Sequence, residues 1–413
     1  MDITQEEYRV TKQQGRIIHT KINILNFQFE TVGEISGVVL DGSTYNTDAT
    51  SDIRRTCSIS LIPKDTSFNI EYGSKLWMDK YVQIFIGIED IQNKNKVVYS
   101  NIGIYLINNP EQVYDAVNNT ITINGVDLMA KMTGMRDGYL EGITYQINQN
   151  ENIKDAMTAL INDECGFIKY SIDEPSPTTL TPYEMSFGLG STAYNICSQL
   201  RDINANYQTY FDQEGTFWFN QIPSGRNEQI MLDDDIWDKV LISYKKSTDY
   251  ESVKNYIEVF GKAQDEGYTV GDTTYYTPYG VAYDDNPQSP FYVGQNNENR
   301  IRIVLNGGEY DNIYPIRNPN TGQIESLEDF NTLAQQRADY ELYIRCKLQD
   351  QIELTCVPIY WLDVNWLTRI TLPNKQGKPT TEYYIIKRIS TTLGVNGTQS
   401  ITAMKYYPAY SFN

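Results

Sequence analysis

A single histidine, His19, limits the chemistry open to these 413 residues. Histidine is the usual general base near neutral pH and a common metal ligand, so a Ser-His-Asp triad, a Cys-His dyad or a histidine-held zinc would all need this one ring. The ring lies in Arg16-Ile17-Ile18-His19-Thr20-Lys21-Ile22-Asn23-Ile24, whose alternation reads as a strand. A surface or strand-edge position is expected for it. Five cysteines, Cys57, Cys165, Cys197, Cys346 and Cys356, stand singly along the chain, without the close pairing of a zinc site and in an odd number that suits a disulfide scaffold poorly. Reduced, mostly buried thiols are expected, in keeping with a cytoplasm. Carboxylates are too many to exclude a glycosidase-like pair by counting. The densest group, Asp233-Asp234-Asp235, lacks the alternating carboxylates and central glycine of a calcium loop and reads as a solvated turn or helix N-terminus. Phe187-Gly188-Leu189-Gly190-Ser191-Thr192 lacks the third glycine of a dinucleotide fingerprint and the lysine of a phosphate loop. It reads as a loop delivering Ser191 as a helix N-cap. No catalytic, cofactor-binding or metal-ligating residue is assigned, and no cofactor is expected.

The elements that must hold these residues are bounded by composition. At about 100 to 200 residues per domain, roughly three domains are expected, and 40% hydrophobic with 21% charged residues is a globular balance. No apolar run reaches the ~18 residues of a membrane span. The start, Met1-Asp2-Ile3-Thr4-Gln5-Glu6-Glu7, is acidic where an export signal is basic and then apolar, so secretion by the general route is not expected. Thirty-four Lys and Arg against 53 Asp and Glu make a net charge of -19, which repels a phosphate backbone. Lys245-Lys246 is too small a basic group to reverse that, so specific nucleic-acid binding is not expected.

From Ile17 to about Met132 the pattern is repeatedly β. Alternation runs over Ile22–Phe29, and further strands read at Arg55–Ile62, Tyr81–Ile88, Ile102–Ile107 and Thr120–Val126. Turn residues separate them at Asp41-Gly42-Ser43 and from Glu89-Asp90 to Asn93-Lys94-Asn95. Strands without intervening helices favour an antiparallel barrel or sandwich. Two amphipathic helices follow, one with Ile153, Ala156, Met157, Leu160 and Ile161 on a face and Gly166 at its end, the other with Ala193, Tyr194, Cys197, Leu200 and Arg201. A hairpin at Tyr207–Phe211 and Thr216–Phe219 completes that module. Strands resume at Lys239–Lys245 and Asn255–Phe260. A polar stretch rich in Tyr, Asn, Gly and Asp from about 263 to 320 then reads as a loop or arm. Thirty-three tyrosines fit extensive protein interfaces and equally fit ordinary strand packing.

The last ninety residues read as a helix from Ser326 to about Lys347, with Ser326 and Asp329 approximating a capping box. Phe330, Leu333, Ala334, Arg337, Ala338, Glu341 and Leu342 share one side of it, so Arg337 and Glu341 need partners or an interface. Strands follow at Ile352–Val357, Arg369–Leu372, Tyr383–Ile389 and Ser400–Tyr406, with Trp361-Leu362-Asp363-Val364-Asn365-Trp366 between the first two. The expected class is α+β, mainly β: two antiparallel β-barrel-like units with an α/β module between them and a long insertion in the second. The expected divisions are a 1–18 segment, a β unit at 19–132, the α/β module at 133–235 and a second β unit at 236–413, interrupted at about 263–320 and by the helix at about 326–347.

This order, together with Gly73–Val82 running into Phe85–Ile88 and Ile102–Ile107, and the passage Gln208–Phe219, resembles the hub proteins of bacteriophage tails and baseplates, also found in contractile bacteriocins. The resemblance covers most of residues 20 to 410 and is a pattern of segments without an invariant motif. It implies a non-enzymatic structural protein, assembled as a homotrimer whose paired β-barrels make a six-fold ring. The implied partners are a spike or tip protein, the tail tube and baseplate proteins, in a virion or tail-like particle assembled in the bacterial cytoplasm. It assigns no interface residues and does not choose between contractile tail, non-contractile tail and bacteriocin. Two other readings stay open: a carboxylate-dependent cell-wall hydrolase, and a carbohydrate-binding, adhesin-like tail protein that stacks sugars on Tyr and Trp.

Overall fold

The computed structural model describes residues 3–406 except 36, 64–69, 71–72, 94–95, 115–118, 141, 143, 177, 205–206, 223–229, 319, 347–348, 374–375 and 395. The protein is mainly β with few helices, and one large sheet dominates it.

A short helix, α1 (Gln5–Thr11), leads the chain. Thr4 caps it by accepting the Glu7 N–H at 3.1 Å while Glu7 returns a carboxylate to the Thr4 N–H, a reciprocal box that the Thr4–Glu7 spacing announces. The first β unit then contributes β1 (Ile18–Leu25), β2 (Thr31–Ile35), β3 (Gly37–Val39), β4 (Thr44–Asp48), β5 (Arg55–Pro63), β6 (Tyr81–Glu89), β7 (Val97–Tyr114) and β8 (Asn119–Val126). Period-two alternation sends Cys57, Ile59 and Leu61 of β5 and Ile121 and Ile123 of β8 to the same core as Ile22, Ile24, Val82, Ile84 and Ile86. Each such side chain, fully buried, stabilises the unit by about 1.5–3 kcal/mol. Around this core β5 pairs with β8, β8 with β7, β7 with β6, β6 with β1, and β1 with β2, while β3 pairs back onto β5.

Two local readings change here. The alternation expected to carry a strand to Phe29 stops at Leu25, because the Asn26 side-chain oxygen Oδ1 accepts the N–H groups of Gln28 and Glu30 and turns the chain, with Phe29 at φ 64°. The short strands β2, β3 and β4 were not legible, since five or fewer residues give the alternation little length to show itself.

The central module holds β9 (Tyr145–Ile147), α2 (Ile153–Ala159), β10 (Tyr170–Ile172), β11 (Met185–Phe187), α3 (Ala193–Asp202), β12 (Tyr207–Phe211) and β13 (Phe217–Gln221). The apolar faces of α2 and α3 pack on Phe211, Phe217 and Phe219 of the expected hairpin. Helix α2 runs on as a π-turn through Leu160–Glu164, and Gly166 at φ 68° takes the left-handed position after it. Helix α3 is capped by Thr192, which accepts the Asn195 N–H at 3.2 Å, rather than by Ser191. Leu25, Tyr81, Ile104 and Leu106 of the first unit share this core.

Strand β14 (Ile230–Leu232) and helix α4 (Asp234–Val240) lead into β15 (Leu241–Asp249). The strand expected from Lys239 thus starts two residues later, after the helix capped by Asp233. The expected strand at 255–260 is β16 (Tyr256–Phe260), but it does not join the large sheet. It pairs with β19 (Tyr279–Tyr283) and β20 (Arg302–Leu305), and β17 (Tyr268–Val270) and β18 (Thr273–Tyr275) form a separate hairpin. The stretch read as a loop or arm therefore carries strands. They pack, through Ile257, Val259, Ala282 and Leu305, on Ala338 of α5 (Leu327–Arg345). Ser326 caps α5, and its expected end at Lys347 lies outside the described residues.

The chain closes with β21 (Gln349–Cys356), β22 (Leu367–Pro373), β23 (Pro379–Thr392) and β24 (Gln399–Lys405), all close to the expected spans. Strand β23 is long enough to serve both β units. Its first half pairs with β22, and Arg388–Thr392 pairs with β4. One sheet consequently runs β15-β21-β24-β23-β4-β5-β8-β7-β6-β1-β2 through the first β unit and the closing strands.

Candidate functional site

Three parts of the chain meet at a buried polar junction. Arg55, 1% exposed, opens β5 and sends Nη2 to Asp363 Oδ2 at 2.5 Å and Nη1 to the Phe211 carbonyl at 2.6 Å. Its own N–H goes to Asp127 Oδ2 at 2.9 Å, and Asp127 Oδ1 accepts the Met129 N–H at 3.0 Å. Burial raises the Asp127 carboxyl despite those bonds and the nearby arginines. Beside this pair, Arg54 donates to Gln208 Oε1 at 2.9 Å, an oxygen that also accepts from Asn365 Nδ2 at 2.7 Å, and Asn365 Oδ1 accepts from Lys387 Nζ at 2.9 Å. Asn365 stands at φ 61°, a position asparagine tolerates, and the bulge between Ile386 and Arg388 places Lys387 out of the β23–β24 register. The junction ties the first unit (Arg54, Arg55, Asp127), the central module (Gln208, Phe211) and the closing strands (Asp363, Asn365, Lys387). Buried charges that are paired and hydrogen-bonded in this way fix geometry more than they add net stability.

A second tie comes from α1. Arg9 grips Asp90 with both terminal nitrogens, at 2.7 and 2.6 Å, which holds the Asp90 carboxyl well below the usual range. On its other side Tyr8 donates to Asp233 and Asp235 at 3.2 and 3.1 Å, and Lys12 reaches Asp235 at 2.7 Å. Trp361 Nε1 donates to Thr11 Oγ1 at 2.9 Å. Helix α1 therefore bridges the two β units; Asp233 and Asp235 serve that bridge, Asp233 also caps α4, and Asp234 accepts the Thr371 N–H of β22 at 2.6 Å. The acidic triplet is an anchor, and the signal that could have revealed its partner is the capped amphipathic start at Thr4.

The other residues singled out by type are brought to no common point. His19 lies on β1 with Nε2 3.5 Å from Glu89 Oε2, at a position where, among the described residues, β1 pairs only with β6. All five cysteines are free thiols; Cys165 is half-buried and the other four are buried. Gly190 sits at φ 88° in the loop before α3. Arg337 and Glu341 do find partners: Glu341 accepts from Arg337 at 3.1 Å, Arg345 at 2.7 Å and Tyr310 at 3.2 Å. Among the described residues no three His, Cys, Asp or Glu side chains gather as a metal cluster, and no helix is long and apolar enough to cross a membrane.

Exposed apolar side chains stand on loops, as at Leu189 and Tyr250, and on strands. Residues 242–249 of β15 are exposed on both faces, and among the described strands β15 pairs only with β21. Ile242 and Tyr244 stand open on it beside Lys245 and Lys246, and Lys246 pairs with Glu382. The outer end of the β7–β8 ribbon exposes Val113 and Tyr114. Long open edges of this kind pair readily with another chain.

Known proteins give these surfaces a context. Residues 288–410, from within the insertion through the closing strands, match a family model described as a domain of unknown function (DUF5048). No curated protein matches the sequence. Among solved structures, the 43 kDa tail protein of prophage MuSo2 from Shewanella oneidensis matches with a TM-score of 0.57 at 12% identity, over 95% of this chain and 100% of that one. A tail protein from Neisseria meningitidis MC58 matches at 0.54 and 9% identity, over 96% and 99% of the two chains. A chain of the half-lidded PdpA-VgrG complex of Francisella matches at 0.51 and 12% identity, over 96% of this chain and 58% of that one. The fold is that of prophage tail proteins.

Proposed function

We propose that this chain is the structural hub of a phage-tail-like injection machine, forming a ring that joins the tail tube to a spike or tip complex. The observation that carries the reading is the match of fold over essentially the full length of two tail proteins. The open edge β15 supports it, since a strand exposed on both faces is a docking element in wait of a neighbour. In this reading residues 19–132 and 236–413 are two barrel-like units, the module at 133–235 stands at the periphery, and three copies present six similar units to a six-fold tube. The role is non-enzymatic. The particle is a virion or a tail-like assembly built in the bacterial cytoplasm, and the match to a complex named for VgrG favours a spike-type partner.

Co-expression with the neighbouring spike and tube proteins tests this. The expected result is one complex that survives size exclusion at physiological salt and shows no retention on a glycan array. Failure to bind either protein, together with glycan retention, would turn the reading toward an adhesin.

A further inference from the structure

Beside the buried junction lies a cavity of about 260 Å³, room for a small polyatomic ion and several waters at ~30 Å³ each. Arg54, Arg201, Thr209 and Lys387 line it, with Ser51 and Asp52 among its lining residues and exposed to solvent. Three cations around one cavity run against a chain of net charge -19. Two are already engaged: Arg201 with Asp202 at 2.8 Å, and Lys387 with Asn365. Asp52 accepts from Tyr194 at 2.5 Å.

Arg54 is different. It is 6% exposed, its guanidinium lies 4.0 Å over the Tyr210 ring, and its hydrogen-bond acceptor is the shared amide oxygen of Gln208. Among the described residues no carboxylate lies within ion-pair distance of it, whereas its neighbour Arg55 takes Asp363. Arg54 Nε and Thr209 Oγ1 are both buried without a hydrogen-bond partner. Burial and the adjacent Arg55 pull the Arg54 guanidinium down to about 10, as expected of a cation short of counter-charge. A buried guanidinium with unspent donors is costly, and a bound oxyanion would satisfy charge and donors together.

We infer that this cavity is a binding site for a small oxyanion, held by Arg54 with Lys387 and the Thr209 hydroxyl, which locks the three parts of the chain at their junction. The site is independent of the hub reading, because it rests on this chain alone.

Inorganic phosphate and acetate, titrated at ionic strength held constant with sodium chloride, test it by calorimetry and thermal unfolding of the full chain. The expected result is saturable binding with a rise in Tm, and the two arms show whether a tetrahedral oxyanion or a carboxylate is preferred. Arg54→Gln and Lys387→Met each weaken binding about tenfold or more, the scale of one charge-assisted hydrogen bond. Thr209→Val does so more mildly and keeps the test alive if Arg54→Gln does not fold. Lys262→Met, exposed and remote, leaves binding unchanged. No saturable response beyond chloride with either anion, or a response equal in wild type and all three site variants, overturns the proposal.

Discussion

Arg55 shows how a single residue can hold a large assembly of strands in place. Its guanidinium is enclosed, and its partners Phe211 and Asp363 come from 156 and 308 residues away. Removing one member leaves the other buried without compensation, which costs about 3–5 kcal/mol for a buried pair. Arg55→Leu is therefore expected to lower stability by that amount in chemical denaturation. A double change with Asp363→Leu should cost less than the sum of the two single changes. Additive losses would mean that the pair is not coupled. Alternation in the sequence places Arg55 at the head of a strand but is silent on its burial, because burial here is created by segments hundreds of residues distant.

At the scale of elements, Glu382 adds a side-chain link from β15 to β23 and β24 beside the β15–β21 ladder. Burial pushes this carboxyl up, but hydrogen bonds from Lys246 on β15, Tyr384 on β23 and Lys405 on β24 outweigh it and bring it down to about 2, from an ordinary 4.5. A carboxyl depressed on folding contributes stability that is complete above its unfolded value and is lost as pH falls through the folded one. Stability should therefore decline between about pH 4.5 and 2, and Glu382→Gln should flatten that part of a Tm-against-pH curve while lowering Tm at pH 7. An unchanged slope would place the acid-sensitive group elsewhere.

Helix α5 covers another edge. Asn331 Oδ1 accepts the Tyr279 N–H at 2.9 Å, and Gln335 both accepts from the Val281 N–H at 3.1 Å and donates to the Val281 carbonyl at 2.8 Å, so side-chain amides stand in for a neighbouring strand along β19. The helix comes so close that a Cβ on Gly280 would meet the Ala334 carbonyl oxygen at 2.2 Å. Gly280→Ala should cost at least about 1–3 kcal/mol by overpacking. Gln335→Ala should cost about 1–3 kcal/mol by uncovering the edge, and the two variants should show raised amide exchange confined to the β16-β19-β20 sheet. This arrangement explains why the insertion read as a loop. Its strands are three to five residues long, and the outer edge of β19 finds its hydrogen-bond partners on a helix about fifty residues later. By contrast α2, α3 and α5 were legible because their apolar spacing is local, and the longer strands of both units because period two survives over seven or more residues.

For the whole molecule, one continuous sheet joins the two β units through the β4–β23 seam, where Arg388 pairs with Asp48 at 2.7 Å. Helix α1 straps the same units from outside. Arg9→Ala, with Lys12→Ala, is expected to leave each unit folded while loosening the strap. Limited proteolysis should then cut first before residue 16, with little change in far-ultraviolet circular dichroism. Wild-type resistance at that site would show that the strap contributes nothing. The order of segments in the sequence pointed to tail hubs; the seam, the strap and the junction were not visible there, because each joins residues that only the fold brings together.

The central claim is that these joined units exist to build a ring. Light scattering coupled to size exclusion, with negative-stain microscopy of the same fractions, measures mass and symmetry together. The account predicts a three-copy ring, alone or on addition of the spike protein. A strict monomer under both conditions would contradict it.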